Sequence, residues 1–168
     1  LRHSEFQDEG VLAIGIDNVQ EGWFSPGRQN RISQSKYQEL QKYTARPLDF
    51  LVTVMATVGR ACLVPEDLET AIITKHVYRV SLDHRLVDPR LMLQAFRGAP
   101  TVLRQLARHS RGQTRPGING KILKGLELRL PPLNEQRRIV AKIDALQARS
   151  RKAREALEAV PALLDRFR

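Results

Sequence analysis

The stretch Pro131-Pro132-Leu133-Asn134-Glu135-Gln136-Arg137-Arg138-Ile139-Val140 divides the chain into two unlike parts. Upstream, glycines and prolines recur and apolar runs are short. After Asn134 neither residue interrupts until Pro161. Ile139, Ile143, Leu146, Ser150, Ala153, Leu157, Val160, Leu164 and Phe167 then follow alternating steps of four and three. That spacing predicts a helix capped by Asn134, with a heptad seam in which Ser150 is a polar core position. If continuous, the helix would extend about 50 Å at roughly 1.5 Å per residue. A helix of that length cannot fold back on a small domain along its whole course. Its seam therefore asks for a partner helix, with Ile139, Ile143, Leu146, Leu157 and Leu164 as the main interface residues. The competing reading is a stripe packed on its own domain. Pro161 forfeits one backbone hydrogen bond and is expected to kink the last turns.

Working back from that stretch, Leu126, Leu128 and Leu130 alternate with Glu127 and Arg129, the pattern of a half-buried strand. Residues 110–117 are a loop by composition. Pro100 opens one helix, and Asp88-Pro89 opens another that Gly98 stops. Residues 71–82 read as one long strand, with Ile72, Thr74, His76, Tyr78, Val80 and Leu82 on one face and Lys75 and Arg79 on the other. Residues 50–57 suit a central strand covered on both sides, and residues 61–64 return from the Val58-Gly59-Arg60 turn. A helix follows Ser33 or Ser35, with Ser35 and Gln38 able to form a capping box. Residues 11–16 are a short buried strand, and residues 23–31 a loop or edge strand. The fold class is α/β (α+β): a mixed sheet with short helices, followed by a long C-terminal coiled-coil helix.

With 168 residues and 42% hydrophobic content, the chain can bury a core without staples. The formal net charge is +10. The excess is concentrated: residues 85–124 hold nine Lys/Arg and one acid, Asp88, whereas residues 1–84 are slightly acidic. A run so little diluted, and containing a glycine-rich loop, favours a phosphate-binding surface over a merely solvated face. Nucleic acid is the first expected partner and an anionic membrane the second. The single cysteine, Cys62, excludes a disulfide framework and a cysteine-rich zinc site, and fits a reducing cytoplasm. The longest apolar run, residues 50–58, is broken by Thr53 and Thr57 and is about half a membrane span. The chain opens on Leu1 with no signal-peptide pattern, so a fragment or trimmed chain of cytoplasmic origin is expected.

Catalytic signatures are missing. No histidine cluster has metal-ligand spacing, and His76 reads as a core or edge residue. The sequence holds no G-x-G dinucleotide fingerprint, no G-K-[ST] phosphate loop, no acid-x-Lys nuclease spacing and no G-x-S-x-G elbow. Its one Pro-Pro pair lies between Leu130 and Leu133, without the acid-or-amide and aromatic neighbours of an amino-methyltransferase box. A non-enzyme is expected.

Taken together, Gly112-Gln113-Thr114-Arg115-Pro116-Gly117-Ile118-Asn119, the strand pattern at 126–130, Pro131-Pro132 and Glu135-Gln136 leading to Ile139-Val140 resemble the end of a target recognition domain. Such domains read DNA in the specificity subunits of type I restriction–modification enzymes. Ile32-Ser33, Tyr37, Asp49 and Val58-Gly59-Arg60 fit the earlier part, so the resemblance covers most of the chain from about Gly10. Leu48 and Ala56 depart from it, standing where a glycine is usual, and the opening segment with its early tryptophan is missing.

The resemblance implies a target recognition (DNA-binding) domain over residues 1–132 and a spacer or dimerisation helix over 133–168. It implies double-stranded DNA, a methyltransferase (modification) subunit and a restriction subunit as partners. The methyl donor S-adenosylmethionine would sit on the methyltransferase subunit, and this chain would carry no cofactor. A full subunit has two recognition domains and two spacer helices that pair antiparallel. A lone half would therefore pair with a second recognition domain or with its own copy. Two other readings stay open: the recognition domain of a fused restriction–methyltransferase polypeptide, and a helix-mediated interaction module.

Arg111, Arg115, Lys121 and Lys124, in or beside the glycine-rich loop, are the candidate phosphate contacts. Gln113, Thr114 and Asn119 are candidate base readers, since amides pair bidentately with adenine; Arg60 could pair with guanine. Asn119 could instead cap a short helix at 120–124, and Thr114 could hold the turn.

Overall fold

The structure is a computed structural model that describes residues 1–27, 29–110 and 117–158. Among the described residues, seven strands form two small sheets: β1 (Val11–Ile14), β2 (Arg31–Ile32), β3 (Thr44–Ala45), β4 (Phe50–Thr53), β5 (Ala61–Leu63), β6 (Ala71–Ile73) and β7 (Val77–Val80). Five α-helices accompany them there: α1 (Gln34–Leu40), α2 (Pro89–Gly98), α3 (Pro100–Ser110), α4 (Gly120–Lys124) and α5 (Leu133–Glu158). The outer sheet has the order β2-β1-β6-β3 and is mixed, with β1 and β6 parallel. The inner sheet, β5-β4-β7, is antiparallel. No helix among the described residues is long and apolar enough to cross a membrane.

The layers follow from which face each apolar residue takes. Phe50 and Val52 point to α2, α3 and α4, where Phe96, Val102, Ile118 and Ile122 meet them; Phe50 and Phe96 stack edge to face at 5.2 Å. Leu51, one step out of phase, faces Leu12 and Ile14 of the outer sheet together with Cys62, Val64 and Val77. The far side of the outer sheet, Val11, Ala13, Ile32 and Ile72, is covered by Tyr37 and Leu40 of α1 with Leu1 and Phe6. β4 is thus the central strand expected from its apolar residues on both faces, and all four of its residues are buried.

β4 ends at Thr53, four residues short of the expected limit, because the Thr53 hydroxyl closes the turn. Its Oγ1 accepts from the Arg60 N–H at 3.1 Å and donates to the Thr57 carbonyl. Ser33 is the α1 cap, accepting from Lys36 N–H at 3.2 Å, and no box forms between Ser35 and Gln38. Asp88 caps α2 through the Arg90 and Leu91 N–H groups, as its sequence pattern predicts.

Three expectations need correction. Residues 71–82 are not one strand: β6 pairs with β1, and β7 pairs with β4 in the other sheet. Residues 74–76 carry the chain across, with the Thr74 N–H donating to Ile14 and the Val54 N–H donating to the His76 carbonyl. A strand that changes sheets keeps its alternation through the corner, so periodicity alone hides the break. In residues 126–130 Leu126 and Leu128 pack on the core and alternate with exposed Glu127 and Arg129, but Leu130 is exposed and no strand forms. The Gln105 side chain takes the neighbouring strand's place: its Oε1 accepts from Glu127 N–H and its Nε2 donates to the Glu127 carbonyl, both at 2.9 Å. α5 begins at Leu133, one residue before Asn134, and the Pro132 carbonyl accepts from the Glu135 and Gln136 N–H groups.

α5 joins the body through a buried carboxamide. Gln136 Nε2 donates to the Leu86 carbonyl at 2.8 Å and the Pro131 carbonyl at 2.9 Å, and its Oε1 accepts from Asp88 N–H at 2.8 Å. Val140 is buried beside it, and Ile139 and Ile143 are half-buried. Beyond them the helix emerges: Leu146 is 55% exposed and Leu157 70%. The first turns therefore pack on their own domain, and the rest of the described seam does not. Val160, Leu164 and Phe167 lie outside the described residues.

Two stability measurements follow. Gln136→Leu strands three backbone groups and should cost about 2–4 kcal/mol in urea unfolding, since each buried unpaired group costs about 1–3 kcal/mol; a loss of a few tenths would mean water replaces the amide. Ala56 is exposed and adopts φ 62°. Ala56→Gly should raise stability by about 1 kcal/mol, because a Cβ is disfavoured in the left-handed region by about 1–2 kcal/mol; unchanged or lowered stability would show that the turn relaxes around alanine.

Candidate nucleic-acid interface

One end of the inner sheet gathers the candidate site. β4 leaves through residues 54–59 to Arg60, and residues 117–119 lie across that turn, with the Ile118 N–H donating to the Val54 carbonyl at 3.4 Å. The Ile118 side chain is buried in the helix-side core. Gly120 permits the closest approach, since a Cβ there would stand 2.0 Å from the Tyr78 hydroxyl oxygen. Asn119 caps α4, its Oδ1 accepting from Ile122 N–H at 3.0 Å. The cap left open by the sequence is thus present, and a bidentate pair with adenine would have to displace it.

Lys121 and Lys124 are exposed on α4, directly after this pinned segment. Arg60 is half-buried and donates from Nη1 to Gln20 Oε1 at 3.2 Å. A guanidinium carries five donors, so this bond positions Arg60 without exhausting it. Arg111, Gln113, Thr114 and Arg115 lie outside the described residues.

The basic segment divides by location. Arg85 pairs with Asp83 at 2.8 Å, and that guanidinium holds the Asp83 carboxyl below the usual carboxylate range. Arg90 reaches Asp144 of α5 at 3.9 Å. Both lie near the α5 junction, where Leu48, Glu66, Asp88, Arg137 and Val140 line a groove. Among the described residues, no ion pair engages Arg60, Arg97, Arg104, Arg108, Lys121 or Lys124. The bases on α3, on α4 and at the end of α2 therefore keep their charge for an outside anion.

The chemistry on offer is binding chemistry. Burial pushes the Cys62 thiol up to about 12, which leaves it protonated and a poor nucleophile. Among the described residues, no group of His, Cys, Asp and Glu is placed to hold a metal ion. Sequence reasoning missed Gln136, whose buried amide fixes α5, and Arg97, which lines the same cleft as Arg60. The signal for Gln136 was its place in the Glu135-Gln136 motif, one helical turn before Ile139 and Val140. Leu48 (φ 62°) and Ala56, the two departures from the glycine pattern, are the non-glycine residues with positive φ among those described.

A family model described as the type I restriction modification DNA specificity domain matches residues 13–159. The Type I restriction enzyme EcoBI specificity subunit of Escherichia coli is 26% identical over 140 residues, covering 83% of this chain and 29% of that subunit. A chain solved in work on complex assembly and conformational transition of the type I R-M system superposes with a TM-score of 0.72 at 23% identity, covering 99% of this chain and 39% of that one. The HsdS subunit from Thermoanaerobacter tengcongensis superposes at 0.66 and 22% identity, covering 93% of this chain and 35% of that one. The chain thus spans well under half the length of these relatives, and the two structures share its fold of two small sheets, short helices and a long helix. With most of its length matched, the chain belongs to the type I restriction modification DNA specificity domain family.

Proposed function

We propose that this chain is a non-catalytic DNA-reading half of a type I specificity subunit, which brings methyltransferase and restriction subunits to a target half-site. The observation that carries this reading is the division of the molecule into two ends. The turn at 54–60, the Gly117–Asn119 segment, Arg60 and Arg97 gather where β4 leaves the inner sheet, and α5 packs by Leu48, where β4 enters it. A reader needs such separation, so that DNA and the assembly partner do not compete for one surface.

On this reading, residues 1–132 are the recognition unit and 133–168 the spacer helix. Lys121, Lys124, Arg111 and Arg115 hold phosphates, which sets register and orientation without choosing sequence. Arg60, Gln113 and Thr114 reach base edges, and Asn119 fixes the loop's return through its cap. The partner methyltransferase subunit binds S-adenosylmethionine and performs the transfer. The helix seam pairs with the helix of a second recognition domain, or with a second copy in antiparallel array.

Two experiments test the halves separately. In a salt titration of duplex binding, Lys121→Ala and Arg115→Ala should each flatten log K against log salt by about one unit. Unchanged slope and affinity in both would remove α4 and the loop from the DNA surface. By sedimentation, the chain should dimerise and Leu146→Glu should shift it to monomer, because each large aliphatic left in water forfeits about 1.5–3 kcal/mol. A wild-type monomer at the highest soluble concentration would mean that α5 needs a different partner.

A further inference from the structure

We propose that Trp23 is a DNA contact, its indole lying against sugar and base edges of the duplex while Arg97 takes a phosphate beside it. This inference rests on the DNA-reading role above. Trp23 is 60% exposed, and it is the only tryptophan in the chain. A large apolar ring held in water on a mobile tail would carry little meaning, but this one sits on a fixed turn. The Gln20 N–H donates to the Trp23 carbonyl at 3.1 Å, and an isolated bridge joins Val19 to Phe24. The Gly22 N–H donates to the Ala61 carbonyl at 2.9 Å, tying the turn to the start of β5.

The turn also meets two cations. Arg60 holds it through Gln20. Arg97 lies against Gly22: a Cβ at Gly22, which has φ +102°, would stand 2.6 Å from Arg97 Nη1. The backbone conformation favours glycine at position 22, and the missing Cβ leaves the room that the guanidinium occupies. Arg60, Arg97 and Glu21 line a cleft of about 660 Å³ with Gly59, Leu103, Ala107 and Ile118, so the turn borders the same end of the fold as residues 117–119. Glu21, the acid in that lining, forms no ion pair with either arginine among the described residues. An exposed aromatic ring on a turn that two guanidinium groups touch suits a polyanion that also presents apolar edges. Duplex DNA has both, and proteins that bind its grooves use apolar side chains at base steps and arginines at the adjoining phosphates.

The lone tryptophan makes the test direct. The full chain is titrated with a fluorescein-labelled random-sequence duplex at low salt, following duplex anisotropy and tryptophan emission in parallel. Emission should change and saturate at the same duplex concentration as the anisotropy. Trp23→Ala should weaken binding by about tenfold, in the range of aromatic–base contacts, with unfolding unchanged because the ring is exposed. Trp23→Phe should retain most of the affinity, and Arg97→Ala should flatten the salt slope by about one unit. Duplex binding with unmoved emission and an unaffected Trp23→Ala would overturn the inference and assign this turn to a protein partner. If no duplex binds at all, the DNA-reading role fails and this inference falls with it.

Discussion

A strand with no face toward water governs the architecture. β4 buries Phe50 and Val52 against the helices and Leu51 and Thr53 against the outer sheet, so neither layer can be removed without exposing the other side of the same strand. Fully burying a large apolar side chain is worth about 1.5–3 kcal/mol, and β4 collects that gain on both faces. Its two ends inherit opposite tasks. Where the strand leaves the core, Thr53 closes the turn that presents Arg60. Where it enters, Leu48 lines the groove beside α5.

Local chemistry was the legible part of the sequence. Asp88-Pro89, Ser33 and the apolar run in residues 50–57 each specify their element with residues in it or next to it, and each element formed, the strand over Phe50–Thr53. The two misread strands have one cause: a distant group decided the outcome. Residues 71–82 alternate as a single strand would, but Ile14 and Thr53 belong to different sheets and each claims part of the segment. Residues 126–130 alternate too, but the group that satisfies Glu127 is the side chain of Gln105, twenty-two positions earlier. No window short enough to show periodicity contains both partners.

The candidate site was legible to a similar depth. The charge excess and the glycine-rich loop singled out the region around Lys121 and Lys124, and the short helix capped by Asn119 was an open alternative that the fold adopts. Composition could not show that Arg85 is tied to Asp83 while Arg97 meets no carboxylate among the described residues, because pairing depends on what folding brings near. The same holds for Leu48 and Ala56. The sequence marks them as departures from glycine, and only the backbone shows that both keep the conformation glycine would have taken.

The joint at Gln136 has a consequence for how such chains diversify. Its partners, the Leu86 and Pro131 carbonyls and the Asp88 N–H, are all main-chain atoms. The amide recognises the path of the polypeptide and is indifferent to the side chains along it. The surface at the other end of β4 can then change residue by residue, or be replaced wholesale, while α5 stays attached at the same angle. Conservation of geometry at the joint and freedom of sequence at the far end become independent properties of one short polypeptide.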